Sequence, residues 1–249
     1  MKDMSTGTST VEEMFASLDL SSPRSPDELR LLVETVDKRF RESNELRRES
    51  GLRHSRSQKK YFEEVRPLAL LARHLFADGR DVVCEPNLED AKNYDAIIRS
   101  SSCKKSMTPL YVEFTYAKDG YDESLRMEVL YDEGHVNLFG RVTRTGTRRA
   151  RLDINIENEV VLRNDILKKQ LELILERIDK KAAGQYTSAH ILVVVFDDFT
   201  GFQSPDELAQ LRSSIEASRS VAALKFRALY LLGSSGQSFL EFDLGTSSS

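Results

Sequence analysis

Two acidic residues, Glu113 and Asp95, are the strongest candidates for chemistry because each lies in or beside an apolar run that predicts a β-strand. Glu113 is the central residue of Leu110–Tyr116, in which tyrosine, valine, phenylalanine and threonine favour extended backbone. Side chains alternate across a strand, so the even-numbered residues form an apolar face and Glu113 lies on the other face. A carboxylate buried there needs a partner or a cation, because an unpaired buried charge is costly.

Asp95 stands directly before an apolar triplet, Ala96-Ile97-Ile98, which predicts a second strand. The seventeen residues between Asp95 and Glu113 suit two adjacent strands joined by a polar loop over 99–109. Two carboxylates from neighbouring strands, together with a backbone carbonyl, form the kind of oxygen site that binds Mg²⁺ or Mn²⁺. We therefore expect both residues to be metal ligands.

Polar residues on two predicted helices would add to this site. In a helix predicted over 57–76, Glu64 lies on the apolar face, so a third carboxylate is expected to face the sheet. In a long helix predicted over 161–183, Arg163 and Gln170 lie within or at the edge of the apolar arc. A glutamine in such an arc is expected to hydrogen-bond a specific partner.

These residues require a scaffold, and the periodicity of the chain predicts an α/β fold with a mixed central sheet and helices on its faces. Strands are expected near 81–84, 93–98, 110–116, 189–196, 226–232 and 238–243, with a hairpin within 125–142 and a helix from 204 to about 218. The run at 189–196 is continuously apolar, which is typical of a buried central strand.

Two segments precede this α/β domain, which is predicted over 55–245. Residues 1–24 are predicted to be a flexible tail with one short amphipathic helix, and residues 25–50 a charged helical arm that begins with Ser-Pro-Asp-Glu, a typical capping sequence. The short helix either packs on its own domain or docks on a partner. Residues 10–48 are therefore a candidate contact for a homodimer or another protein.

The order α-β-β-β-α-β, with acids at these positions, resembles the PD-(D/E)XK nuclease-like (restriction-endonuclease-like) superfamily over about residues 57–197. Asp95 follows Tyr94 where the family has Pro-Asp, and Glu113 begins the triplet that stands where the family has Glu-x-Lys. The resemblance implies that both acids bind divalent metal. It also matches Glu64 to the helical acid of some members and Gln170 to the helix glutamine of the RecB-like branch.

One position departs from the family pattern. Thr115 replaces a lysine that is thought to help activate water and to steady developing negative charge, and threonine carries no cation. Lys118, Lys168 or Lys169 would have to supply the ammonium group from another element. Lys169 is the best candidate of the three because it neighbours Gln170.

A basic segment after the third strand predicts contact with phosphate. Its five arginines lie within eleven residues, with no acid among them: Arg141, Arg144, Arg148, Arg149 and Arg151. Arginine binds phosphate through two hydrogen bonds, and the intervening threonines and glycines let the backbone approach. Together with Arg163, which is also expected to stabilise transition-state charge, these are the predicted nucleic-acid contacts. A solvated loop paired with the acidic segment 119–133 is the alternative.

Composition excludes several other classes of function. The net charge of −4 provides no global attraction for nucleic acid, so a local patch has to bind it. No apolar run is long enough to span a membrane, no secretory h-region is present, and two cysteines do not make a disulfide scaffold. We therefore expect a cytoplasmic protein without a membrane partner.

The sequence thus predicts metal-dependent hydrolysis of phosphodiester bonds in nucleic acid, with DNA as the expected substrate and Mg²⁺ or Mn²⁺ as the cofactor. The alternative is a catalytically inactive nuclease-like scaffold that binds nucleic acid or protein. A lysine amine within reach of the Glu113 carboxylate would favour catalysis.

Overall fold

A six-stranded mixed sheet lies at the centre of the protein. The computed structural model describes residues 10–52, 55–77, 81–87, 93–100, 108–137, 140–146, 153–157 and 159–245. Within these ranges the strands, in chain order, are β1 (Val82–Pro86), β2 (Ala96–Ser100), β3 (Leu110–Tyr116), β4 (Val142–Thr145), β5 (Asp153–Ile156), β6 (His190–Phe196), β7 (Ala228–Gly233) and β8 (Phe239–Asp243).

Helices precede, connect and flank these strands. In chain order they are α1 (Val11–Ala16), α2 (Pro26–Glu42), α3 (Asn44–Leu52), α4 (Arg56–Lys60), a π-helical turn (Tyr61–Val65), α5 (Arg66–Leu75), α6 (Gly120–Glu133), α7 (Arg163–Ala182), α8 (Pro205–Glu216) and α9 (Arg219–Ala222). Among the described helices, none combines the length and the apolar character that a membrane crossing requires.

The sheet has the strand order β1-β2-β3-β6-β7-β8. Its inner strands β3, β6 and β7 are parallel neighbours, whereas β1 with β2, β2 with β3, and β7 with β8 pair antiparallel. Every residue of β6 from Ile191 to Phe196 is buried, as expected for its continuous apolar run. The predicted α/β fold with a mixed central sheet and flanking helices is confirmed.

Both faces of the sheet are covered by helices. On one face, Phe114 of β3 packs in a hydrophobic cluster with Leu29 of α2 and Leu68 of α5. On the other face, Leu192 of β6 packs in a second cluster with Ile174 of α7. Because side chains alternate along a strand, the odd-numbered residues of β3 face the α7 side.

The N-terminal segment packs on the domain from its first described residues. Val11, Met14 and Phe15 of α1 are buried in the same cluster as α2 and α5, and Thr10 caps α1 through a capping box with Glu13. Residues 10–24 therefore contribute to the core, and are not the flexible tail that their polar composition predicts. The predicted tail residues 1–9 lie outside the described residues.

The edge of the sheet at β1 is covered by the chain that leads into α2. The Arg24 N–H donates to the Cys84 carbonyl at 2.9 Å, and the Cys84 N–H donates back to the Arg24 carbonyl at 2.7 Å. Helix α2 then buries one apolar stripe, which consists of Leu29, Val33, Val36 and Phe40. The segment predicted as a helical arm is thus docked on the α/β domain through α2.

The hairpin predicted within 125–142 is wrong, because α6 occupies the first half of that segment. The Asp119 side chain caps the helix by accepting from the Asp122 N–H at 3.4 Å. Gly134 ends it with φ 79°, a left-handed conformation that glycine adopts without a Cβ penalty. These two end signals favour a helix over the predicted hairpin.

The helix predicted over 57–76 is interrupted by the π-helical turn. Pro67 occupies the second position of α5 and has no N–H to donate to the preceding turn. The preceding residues Tyr61–Val65 adopt the wider π pitch. Such turns are frequent at functional sites, and Glu64 lies within this one.

Candidate active site

The antiparallel pairing of β2 and β3 brings Asp95 next to Glu113. Ala96 pairs with Val112, and the Asp95 N–H donates to the Val112 carbonyl at 2.8 Å. The Asp95 carboxylate in turn accepts from the Phe114 N–H at 2.7 Å. Both the backbone and the side chain of Asp95 are therefore fixed against the residues on either side of Glu113.

Glu113 is 8% exposed and its charge is matched by a lysine of α7. The Lys181 ammonium group donates a hydrogen bond to Glu113 Oε1. Tyr186 donates from its hydroxyl to the same oxygen at 3.1 Å, and this hydroxyl lies 3.5 Å from the Lys181 ammonium group. Burial lowers the pKa of Lys181, but the hydrogen bond and charge of Glu113 outweigh burial, so the net shift of the Lys181 pKa is upward.

Glu64 places a third carboxylate near Asp95. Its Oε1 lies 2.8 Å from the ammonium group of Lys60, one helical turn earlier, and its Oε2 is buried without a hydrogen-bond partner in the described part of the chain. Burial raises the pKa of Glu64 to about 7 and the charge of Asp95 adds to this shift, whereas the hydrogen bond from Lys60 opposes it. This carboxyl is therefore poised to exchange a proton near neutral pH.

Asp95 is perturbed in the same direction. Burial and then the charge of Glu113 raise its pKa to about 6, against the hydrogen bond from the Phe114 N–H and the charges of Lys181 and Lys60. A carboxylate whose pKa is raised by burial and by another carboxylate gains from any added positive charge. A positive charge close to Asp95 would therefore stabilise its charged form.

The donor set fits a divalent metal through two carboxylates. Mg²⁺ commonly binds proteins through one or two carboxylates and takes its other ligands from water and substrate phosphate. Asp95 and Glu113 offer such a pair. In the described ranges, no three His, Cys, Asp or Glu side chains form a group that could hold an ion, so the expected three-ligand set with Glu64 is not assembled.

The ammonium group at Glu113 comes from Lys181, and Lys169 is the wrong choice among the lysines. Lys169 is exposed and lies twelve residues earlier on α7, roughly 18 Å along the helix axis. Lys168 is exposed on the same part of α7, and Lys118 pairs with Glu123 at 3.4 Å. Thr115, on the same side of β3 as Glu113, is only half-buried.

Gln170 and Arg163 lie toward the opposite end of α7 from Lys181. Gln170 is 7% exposed and donates to the Asp197 carbonyl, which fixes α7 to the end of β6. The expectation of a specific partner for this glutamine is confirmed, but the partner is backbone of the β6–α8 connection. Arg163 binds both carboxylate oxygens of Glu207 at 2.9 Å. Neither residue contributes to the cluster around Glu113.

Sequence reasoning missed Lys60, Lys181 and Tyr186. A signal for Lys181 was present, because it follows Gln170 by eleven residues, which is close to three full helical turns. Lys60 stands four residues before Glu64, the spacing at which helical ion pairs form. Tyr186 lies in the connection between α7 and β6, where no periodic pattern exists to predict its direction.

The basic segment is described only in part. Strands β4 and β5 form a separate antiparallel pair, with Val142 opposite Ile156. Of the predicted phosphate contacts, Arg141 precedes β4 and Arg144 lies on it, and both are exposed. Three others lie outside the described residues, namely Arg148, Arg149 and Arg151.

Comparisons with family models, with curated proteins and with solved structures give no significant match to this chain.

Proposed function

We propose that this protein hydrolyses phosphodiester bonds in nucleic acid at the cluster formed by Asp95, Glu113 and Lys181. The observation that carries the proposal is the direct contact between the Lys181 ammonium group and the Glu113 carboxylate, next to the raised-pKa carboxyl of Asp95. Two acids and one lysine supply ligands for a metal and a fixed positive charge. The lysine that Thr115 does not provide is replaced in function by one from α7.

Asp95 and Glu113 would hold the divalent cation. Bound Mg²⁺ or Mn²⁺ supplies charge that polarises phosphate oxygens and makes bound water more acidic. The protein contributes the rigidity of this pair, because Asp95 is held by the Phe114 N–H and Glu113 by Tyr186. Such preorganisation reduces the reorganisation that the reaction would otherwise require.

Lys181 would stabilise the negative charge that develops on phosphate. Its upward-shifted pKa keeps the ammonium group charged throughout the physiological range. Glu64 would accept a proton, since its Oε2 is unpartnered among the described residues and its pKa of about 7 suits a base at neutral pH. These roles divide the work between a charge stabiliser and a proton acceptor.

The test is a digestion assay on single- and double-stranded DNA and RNA with Mg²⁺ or Mn²⁺. We expect Glu113→Gln and Lys181→Met to lose activity by about a hundredfold or more, the scale at which one preorganised catalytic group acts. Lys180→Met is the matched control, because Lys180 pairs with Glu176 on the exposed side of α7. Equal cleavage by the wild type and Glu113→Gln would refute the site.

A non-catalytic scaffold is the second candidate, and one observation favours it. Glu113 is already neutralised by Lys181 and hydrogen-bonded by Tyr186, so its charge is satisfied without a metal. In that case the domain would bind nucleic acid or protein and cleave neither DNA nor RNA with any divalent ion. Calorimetric titration with Mn²⁺ distinguishes the two candidates. The hydrolase requires that the wild type binds Mn²⁺ and that Glu113→Gln does not, whereas the scaffold requires no Mn²⁺ binding.

A further inference from the structure

Four rings form a continuous aromatic row at one end of the sheet. The row consists of Tyr94, Tyr111, His190 and Tyr186. The distances between successive ring centroids are 4.9, 5.3 and 5.7 Å, so each ring contacts the next. Successive rings are tilted by 46°, 32° and 71° to one another, and they come from three stretches of chain, because Tyr186 and His190 are only four residues apart.

The sheet topology assembles this row. Tyr111 of β3 and His190 of β6 are direct neighbours in the parallel register, and Tyr94 lies just before β2. Tyr186 lies in the connection from α7 to β6 and packs on Phe226 with a centroid distance of 4.4 Å. The row therefore crosses neighbouring strands at the end of the sheet where β3 and β6 begin.

The aromatic row is continuous with the candidate active site. The Tyr186 hydroxyl contacts both Glu113 and the Lys181 ammonium group, and Tyr111 is two residues before Glu113 on the same side of β3. One end of the row therefore lies in contact with the proposed reaction centre.

The four rings of the row are partly exposed, unlike an ordinary aromatic core. Phe226, which supports Tyr186 and His190 from below, is 4% exposed and completes the underlying core. Helix α7 ends at Ala182, four residues before Tyr186 in the chain. Partly exposed rings on a rigid buried base are suited to accept a flat ligand by stacking.

Cations flank the far end of the row. Lys225 and Arg227 are exposed on either side of Phe226, and the Arg227 N–H donates to the His190 carbonyl at 2.8 Å. These two side chains extend from the segment that carries the aromatic base. Exposed cations beside stacked rings match a ligand with alternating flat bases and negative phosphates.

We propose that the aromatic row binds unpaired bases of single-stranded nucleic acid, with phosphates contacted by Lys225 and Arg227. This inference rests on the proposed function and specifies the form of its substrate. The base faces of a duplex are already stacked within it, whereas a single strand exposes each base to a protein ring. The row would therefore deliver a single strand to Glu113 and Lys181.

The test measures binding in EDTA, so that neither metal nor cleavage enters the result. Fluorescence anisotropy would compare a labelled oligothymidine with a duplex and with an abasic oligonucleotide of the same length, which has the phosphates without the bases. We expect Tyr111→Leu and Tyr94→Leu each to weaken oligothymidine binding about five- to tenfold. Phe199→Leu is the control, because Phe199 is an exposed aromatic beyond the opposite end of β6.

The salt dependence tests the cations separately. Replacing Lys225 and Arg227 with glutamine should reduce the slope of log affinity against log salt by about 1.4, which corresponds to two phosphate contacts on a single strand. Wild-type binding to oligothymidine that is no tighter than to the abasic strand or the duplex would overturn the proposal. So would unchanged affinity in both tyrosine variants.

Failure here is distinguishable from failure of the hydrolase proposal. The wild type should bind oligothymidine in EDTA whether or not it cleaves this strand when metal is present. Base-dependent binding without cleavage would leave the row in place and favour the scaffold function. Cleavage of a duplex without base-dependent binding would support the hydrolase proposal and contradict the proposal that the row binds unpaired bases.

Discussion

The ammonium group of Lys60 lies 2.8 Å from Glu64 Oε1, across the junction between α4 and the π-helical turn. Lys60 also acts on an acid of the sheet, because its charge lowers the pKa of Asp95 whereas the charge of Glu113 raises it. The carboxyl of Glu64 is nevertheless easier to protonate than a free glutamate, because burial outweighs the attraction to Lys60.

Glu64 should make stability depend on pH. Its pKa rises from 4.5 in an unfolded chain to about 7 in the fold, so the native state binds the proton more tightly. Stability from this group is fully present below pH 4.5 and is lost as pH rises through 7, by on the order of 3 kcal/mol. Urea unfolding of the wild type and Glu64→Gln between pH 4.5 and 8 should show a difference that grows in favour of the variant.

Glu172→Gln is the control for this measurement, because Glu172 is an exposed glutamate of α7. Its stability relative to the wild type should change little over the same range. A wild-type and Glu64→Gln difference that is constant with pH would show that this carboxyl does not titrate in the native state within that window.

Metal should stabilise the fold through Asp95 and Glu113. At a Mn²⁺ concentration of about a hundred times Kd, a ligand that binds only the native state adds about 2.7 kcal/mol, which raises Tm by several degrees for a chain of this length. Asp95→Asn should abolish the increase. The increase should be larger at pH 8 than at pH 5.5, because protons compete for Asp95, whose pKa is about 6. A wild-type Tm that neither Mg²⁺ nor Mn²⁺ raises contradicts the metal site.

Lys181 and Glu113 should be strongly coupled in stability. Lys181→Met leaves a buried carboxylate without its cation and should cost about 3–5 kcal/mol, whereas Lys181→Met combined with Glu113→Gln should recover most of that loss. Chemical unfolding of the wild type, the two single variants and the double variant gives the coupling energy. Additive effects of the two substitutions would mean that the pair is not formed.

Arg163 should matter for local structure alone. It binds Glu207 through two hydrogen bonds, and both side chains are partly accessible to water. Arg163→Ala should therefore reduce stability by about 1 kcal/mol or less, as is usual for exposed ion pairs, and leave cleavage and nucleic-acid affinity unchanged. If Arg163→Ala loses activity while its stability stays that of the wild type, Arg163 contacts nucleic acid or stabilises transition-state charge, as the sequence predicts.

Strong local patterns explain why much of the sheet could be predicted. The third strand was expected at Leu110–Tyr116 and has those bounds, because its tyrosine, valine and threonine content and its alternation agree. The proximity of Asp95 to Glu113 follows from strand order and loop length alone. Both inferences depend on spacing along the chain, which a single sequence displays directly.

The parts that could not be predicted depend on tertiary packing. The burial of Val11, Met14 and Phe15 needs the surface of α2 and of the π-helical turn, which composition does not reveal. The choice of Lys181 over Lys169 depends on where α7 crosses β3. Both lysines lie on the same predicted helix, and only its position on the sheet decides which one reaches Glu113.

The pairing of Arg24 with Cys84 gives the N-terminal segment a protective role. An exposed edge strand presents unpaired backbone N–H and C=O groups to any other extended chain and so promotes self-association. Residues before α2 occupy that position on β1. A chain shortened to begin at Ser25 would therefore expose the backbone hydrogen-bonding groups of β1. We expect such a chain to aggregate in a concentration-dependent way before the arrangement of Asp95, Glu113 and Lys181 is lost.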